Sequence, residues 1–118
     1  MIGNIYICLN EATYNSEIPV ELQGKYARTS VDDEDNLVEI LPTTFAEIGE
    51  DNRRAYGVVR QFSINDANFY ILEFSASWLS GEVSALLNLG VGLDYPNNTL
   101  LTNKEAQQLL SEHAEDIA

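Results

Sequence analysis

The sequence predicts an α+β fold: a mainly antiparallel β-sheet with a central hairpin, about residues 55–64 and 69–78, and two C-terminal helices packed on one face. Three observations predict it. Alternating apolar residues recur through the first two-thirds of the chain. A cluster of turn formers splits the longest such stretch. Beyond Trp78 the apolar spacing changes from every second residue to every third or fourth. The chain, residues 1–118, reads as a single domain. Area scaling gives roughly 6,400 Å² of folded surface against about 19,000 Å² for the extended chain, so about two-thirds is buried. Its 45% hydrophobic content separates it from disordered acidic sequences, which lack such residues.

The elements follow in order. Ile5, Ile7 and Leu9 alternate with Tyr6 and Cys8, a strand apolar on both faces and therefore interior to a sheet. Ile18, Val20 and Leu22 alternate with Glu17, Pro19 and Glu21. This reads as a half-exposed strand, placed at an edge because Pro19 has no amide proton for a central ladder. Lys25–Val31 and Leu37–Leu41 flank Asp32-Asp33-Glu34-Asp35-Asn36 as a long-looped hairpin. Thr44-Phe45-Ala46-Glu47 fits a capping box opening a short helix that Gly49 ends.

Tyr56–Ile64 and Phe69–Trp78 form the central hairpin around Asn65-Asp66-Ala67-Asn68. Pairing Ile64 with Phe69 sets Phe62 opposite Ile71 and Arg60 opposite Glu73. The other face then carries Val59, Tyr70, Leu72, Phe74, Ala76 and Trp78. Val83, Leu86, Leu87 and Gly90 follow helical spacing, with Ser80 as cap and Gly90 as stop. Thr102-Asn103-Lys104-Glu105 is a second capping box. It opens a helix whose apolar face is Ala106, Leu109, Leu110, Ala114 and Ile117.

Charge bounds the function more tightly than any motif does. Nineteen acidic residues against six basic ones give a formal net charge of −13. The excess is spread along the chain: residues 1–60 carry 11 acids and five bases, residues 61–118 eight acids and Lys104 alone. On a sphere of roughly 17 Å radius, screened over about 8 Å, this amounts to on the order of 1 kcal/mol per unit charge at the surface. Such a field repels nucleic-acid phosphates and anionic membranes and draws in basic protein surfaces. Direct nucleic-acid or membrane binding is not expected. A basic protein partner is, including a nuclease or another nucleic-acid-binding protein.

Few residues suggest chemistry. The one cysteine, Cys8, lies in an apolar strand, whereas a nucleophilic cysteine needs an exposed, electropositive setting. The one histidine, His113, borders the apolar face of the last helix, and a lone histidine leaves the common zinc and Ser-His-Asp sets incomplete. The run Asp32-Asp33-Glu34-Asp35 could hold a hard cation. It lacks the glycine and closing glutamate of an EF-hand loop, and reads first as a solvated turn and second as a partner-binding patch. Arg53 and Arg54, with Arg60 a strand-length on, read as local neutralisers of Glu47, Glu50 and Asp51. Glu112, Glu115 and Asp116 crowd the end of the last helix, where the macrodipole prefers cations. That placement suits a fraying tail or an acidic docking surface.

The expected protein is thus a non-enzymatic acidic inhibitor or neutraliser. It would bind a basic surface through Asp32, Asp33, Glu34 and Asp35, then Glu112, Glu115 and Asp116, with no cofactor and no metal. A toxin-immunity protein and a phage-encoded inhibitor of a host nucleic-acid-binding defence complex both fit, with carboxylates standing where the target expects phosphates. Two other classes compete: a structural or assembly subunit whose acidity serves solubility, and an enzyme using carboxylates with or without a divalent cation. The N-terminus has no basic region followed by an apolar run, and no stretch reaches membrane-spanning length, so a cytoplasmic location is expected.

Overall fold

The computed structural model describes residues 4–34, 36–44, 54–92 and 94–113. Six strands form one antiparallel sheet: β1 (Ile5–Asn10), β2 (Tyr26–Val31), β3 (Leu37–Thr43), β4 (Arg54–Ile64), β5 (Ala67–Phe74) and β6 (Thr99–Leu101). Their spatial order is β3-β2-β4-β5-β1-β6. Among the described residues three α-helices accompany them: α1 (Glu11–Glu17), α2 (Ser80–Leu86) and α3 (Asn103–Glu112). The α+β class holds, with two helices near the C-terminus. These two lie on opposite faces of the sheet instead of sharing one. Val83 and Leu87 join α1 over Ile7, Leu9, Leu72 and Phe74. Ala106 and Leu109 cover Tyr6, Cys8, Ile71 and Leu101.

The interior strand is where its pattern puts it. β1 pairs with β5 on one side and β6 on the other, and Tyr6 through Leu9 are all buried. The expected edge strand at Ile18–Leu22 is absent. Its place is taken by α1 and a 3-10 turn over Val20–Leu22. Tyr14, Ile18 and Leu22 are spaced by four and all buried, whereas Val20 is 80% exposed. The helix stops at Ile18, which is extended (φ −97°, ψ 116°), and the chain turns again after Pro19, so Ile18 and Leu22 reach the core from two separate turns and not as alternate residues of a strand. Asn10 starts the helix by accepting the Thr13 amide at 2.8 Å. The Tyr14 ring stacks on Tyr70 at 3.8 Å, and its hydroxyl accepts the Gly24 amide at 2.7 Å.

The central hairpin exists but in a different register. Its turn has two residues, Asn65 (φ 51°) and Asp66 (φ 67°), so that Ile64 faces Ala67. Two positive φ values give the primed turn whose twist matches that of the strands, and Asn and Asp tolerate that region better than most residues. Phe62 therefore pairs with Phe69, their rings 5.8 Å apart, and Arg60 faces Ile71 instead of Glu73. A bulge between Val58 and Arg60 then rephases the strand. Val58 and Tyr56 turn to the face of Leu72 and Phe74, while Val59 packs with the Phe62 cluster. Val59 thus lies opposite to its expected side, and Ala76 is exposed. Glu73 finds other partners: the Tyr6 hydroxyl donates to it at 2.7 Å and the Asn4 amide at 2.9 Å.

β2 and β3 form the hairpin expected around the acidic run. In α2, Leu79 rather than Ser80 is the N-cap, its amide held by the Glu82 carboxylate at 3.1 Å. The second capping box is as expected: Glu105 donates its amide to the Thr102 hydroxyl at 3.1 Å, and its carboxylate accepts the Thr102 amide at 3.0 Å. Beyond its first residue, Thr44, which is exposed and outside any element, the expected helix to Gly49 lies outside the described residues, as do Ala114 and Ile117.

One close approach ties the β2–β3 hairpin to the centre. Gly57 of β4 is buried beneath the Tyr26 ring of β2, and a methyl group there would run into that ring. Replacing glycine in a strand ordinarily gains up to about 1 kcal/mol from the unfolded chain. Overpacking costs about 1–3 kcal/mol. The clash wins, so Gly57→Ala lowers the urea midpoint. Adding Tyr26→Ala to Gly57→Ala makes the second substitution much less costly than in the wild-type background.

Candidate functional site

The acidic loop is built, not merely solvated. Asp32 follows β2 and folds its carboxylate back over the turn. Its Oδ1 accepts the amides of Glu34 at 2.9 Å and Asn36 at 3.0 Å, and Oδ2 takes the Asn36 side-chain amide at 3.4 Å. The Asp32 amide donates in return to the Asn36 carbonyl at 3.0 Å. These hydrogen bonds, from Asn36 first and then Glu34, hold the Asp32 carboxyl below its ordinary 3.8. Asp32 is therefore the strut of the loop, and the exposed Asp33 and Glu34 are what the loop displays. Asp35 lies outside the described residues.

The second acidic group stands elsewhere. Glu112 closes α3 beside a cleft of about 330 Å³ lined by Tyr95, Glu105, Gln108 and Leu109. The Gln108 side chain donates to it at 3.0 Å. Glu115 and Asp116 lie outside the described residues. The loop belongs to the β3-β2 edge of the sheet, while α3 packs against β1 and β6 at the other edge. Five inter-strand steps separate the edge strands, roughly 24 Å. The two acidic groups that the sequence suggested are thus separate surfaces. Further exposed acids, Glu11, Glu21, Glu39, Asp66 and Asp94, lie between and around them.

A second cleft, of about 360 Å³, adjoins the acidic loop. Val31 and Leu37, the two residues from which the loop springs, form one wall. Glu82, Ala85 and Leu86 of α2 form the other, and Trp78 and Arg54 complete the lining. The Arg54 guanidinium lies 5.5 Å from the Trp78 ring centroid and meets Glu82 at 3.1 Å. Trp78 is 3% exposed, and its indole N–H is buried with no hydrogen-bond partner among the described residues. Nothing local in the sequence indicated this cleft. Its walls come from segments about fifty residues apart, and the partner of Arg54 is Glu82, whereas the expected partners Glu47, Glu50 and Asp51 lie outside the described residues, as does Arg53.

The residues weighed for catalysis are placed as follows. Cys8 has no exposure, and burial pushes its thiol up to about 12. His113 caps the C-terminus of α3 with its ring 4.5 Å from that of Phe62. Among the described residues no three His, Cys, Asp or Glu side chains are grouped to hold a metal ion, and no helix is long and apolar enough to cross a membrane. Compared with known protein families, curated proteins and solved structures, the chain matches none. The site and its chemistry therefore rest on the molecule itself.

Two outcomes follow. Asp32→Ala removes the acceptor of two loop amides, so amide exchange at Glu34 and Asn36, followed by NMR, accelerates. Asp33→Ala leaves both unchanged. The second concerns alkaline pH. Burial raises Cys8 from 9.0 and Tyr56 from 10.0, each to about 12. In the unfolded chain both ionise earlier, so the folded state binds more protons between the two values. Their contribution is complete below pH 9 and is lost as pH rises through the folded values near 12. With both groups titrating only when unfolded, these two together lower stability by at most about 2.7 kcal/mol per pH unit, and Tyr6, raised in the same direction, adds to the fall. Urea midpoints that stay level from pH 8 to about pH 11 contradict this.

Proposed function

We propose that this chain is a non-enzymatic binding protein that neutralises a basic protein surface, of the kind that grips nucleic-acid phosphates. The observation that carries the reading is the ordered acidic loop. Asp33 and Glu34 project from a turn pre-organised by Asp32, at one edge of a sheet whose chain carries a net charge of −13. A solvated charge run has no need of such order, whereas a docking element gains affinity from it, since less conformational freedom is lost on binding. The surrounding negative field accelerates encounter with a cationic partner and disfavours phosphates and anionic lipid. An inhibitor directed at a nuclease toxin or a nucleic-acid-binding defence complex is the biological form this physics suits best.

A second reading has a specific observation behind it. Leu37 and Val38 on edge strand β3 are 44% and 63% exposed, a feature that assembly subunits share. Salt separates the two, because apolar assembly survives ionic strength that screens charges.

The test is capture from source-organism lysate at low salt, elution along a salt gradient and identification by mass spectrometry. The proposed reading expects a nuclease or other nucleic-acid-binding protein, eluted by salt and displaced by duplex DNA. Asp33→Asn with Glu34→Gln weakens the complex roughly two- to fivefold per charge at low salt, and less at high salt. Recovery of the chain itself, or of assembly subunits held through high salt, overturns the reading in favour of the second.

A further inference from the structure

We infer that the cleft between the acidic hairpin and α2 takes one apolar side chain of a basic protein segment, so that the partner is held by a hydrophobic anchor flanked by Lys or Arg. The inference rests on the proposed function and names the feature its partner must carry.

The cleft's dimensions and lining set the anchor. Its volume of about 360 Å³ lies at the small end for binding pockets, the size that admits one large side chain. Val31, Leu37, Ala85 and Leu86 supply apolar walls, and the nearly buried Trp78 lies at the floor. Val31 and Leu37 remain 37% and 44% exposed, so they have apolar area still to lose on binding. Binding hot spots have this arrangement: an apolar pocket at the centre with polar groups at the rim.

Charge sets what flanks the anchor. Val31 leads directly into Asp32, Asp33 and Glu34, and Leu37 follows the same loop, so the hairpin side of the cleft opens beside three carboxylates. On the helix side, Glu82 is paired with Arg54, and that pair is close to neutral. The rim is therefore negative on one side only. An apolar residue preceded or followed by Lys or Arg satisfies both features, since its cations reach the loop while the side chain fills the cleft. A second copy of the chain is the wrong occupant on the same grounds, because each brings a net charge of −13.

Trp78 makes the test direct, as it is the only tryptophan in the chain and lines the cleft. The probes are two short synthetic peptides, one with a phenylalanine flanked on both sides by arginines, the other with serine in its place. The inference expects the phenylalanine peptide to shift Trp78 emission and to bind at least about tenfold tighter than the serine peptide. That difference is the size expected from burying an apolar side chain. Ala85→Phe, which fills the cleft from an exposed helical position, removes the preference, and Leu37→Ser reduces it. Asp33→Asn with Glu34→Gln weakens both peptides alike and leaves the preference intact. Equal affinity for the two peptides overturns the inference while leaving the acidic docking reading standing. So does capture of a salt-released basic partner that Ala85→Phe leaves undiminished. Failure of both peptides and of every basic partner ends both readings. Self-association in sedimentation that Ala85→Phe abolishes assigns the cleft to a second copy and overturns the anchor.

Discussion

The rest of the molecule depends on the register between β4 and β5. The two-residue turn at Asn65 and Asp66 sets the far end, and the bulge between Val58 and Arg60 advances the near end by one residue. Because side chains alternate along a strand, that single residue exchanges the faces of everything before it. Arg54, Tyr56 and Val58 therefore turn toward α1 and α2 rather than α3. Without the bulge, Arg54 would leave Trp78 and Glu82, and the cleft would lose part of its lining. The same phasing presents Gly57 to the Tyr26 ring. That contact seats the β2–β3 hairpin, and through it the acidic loop.

This dependence explains which parts of the structure were legible in the sequence. β1 announces itself because apolar residues on both faces of a strand have one physical meaning, burial between neighbours. The capping box at Thr102 and Glu105 is legible because both partners lie within one turn. The acidic hairpin is legible because the charged run interrupts two strand patterns. The bulge is not, since an inserted residue leaves no composition of its own and only the paired strand defines it. The segment from Tyr14 to Leu22 misleads for another reason: its apolar positions satisfy periods of both two and four. Neither period describes it: the helix capped by Asn10 ends before Ile18, Pro19 breaks the chain direction, and a separate turn buries Leu22 while leaving Val20 exposed.

The candidate site divides along the same line. That the loop from Asp32 to Asp35 matters could be read from its charge, but the division of labour within it could not. Asp32 and Asp33 are adjacent, chemically identical and both exposed, and only the amides of Glu34 and Asn36 make Asp32 the strut of the loop. Glu112 was grouped with the loop on charge alone, and the sheet order separates them. The cleft has no sequence signal at all. It forms where Val31 and Leu37 meet residues of α2, a long-range coincidence that no local pattern encodes.

Charge and cleft answer different parts of the recognition problem. A field spread over the whole surface raises encounter rates with any cationic protein, and so cannot by itself choose among them. Selection needs a contact made only when shapes match, and burial of an apolar group in a pocket is such a contact. In this molecule the two lie side by side, because the strands that carry the acidic loop also supply one wall of the cleft. A basic partner drawn in by the field therefore meets the loop first, and its hold lengthens only if an apolar side chain enters the cleft beside Val31 and Leu37. Salt would then act mainly on arrival and the cleft mainly on departure. That ordering gives a protein of uniform negative charge a means of being specific.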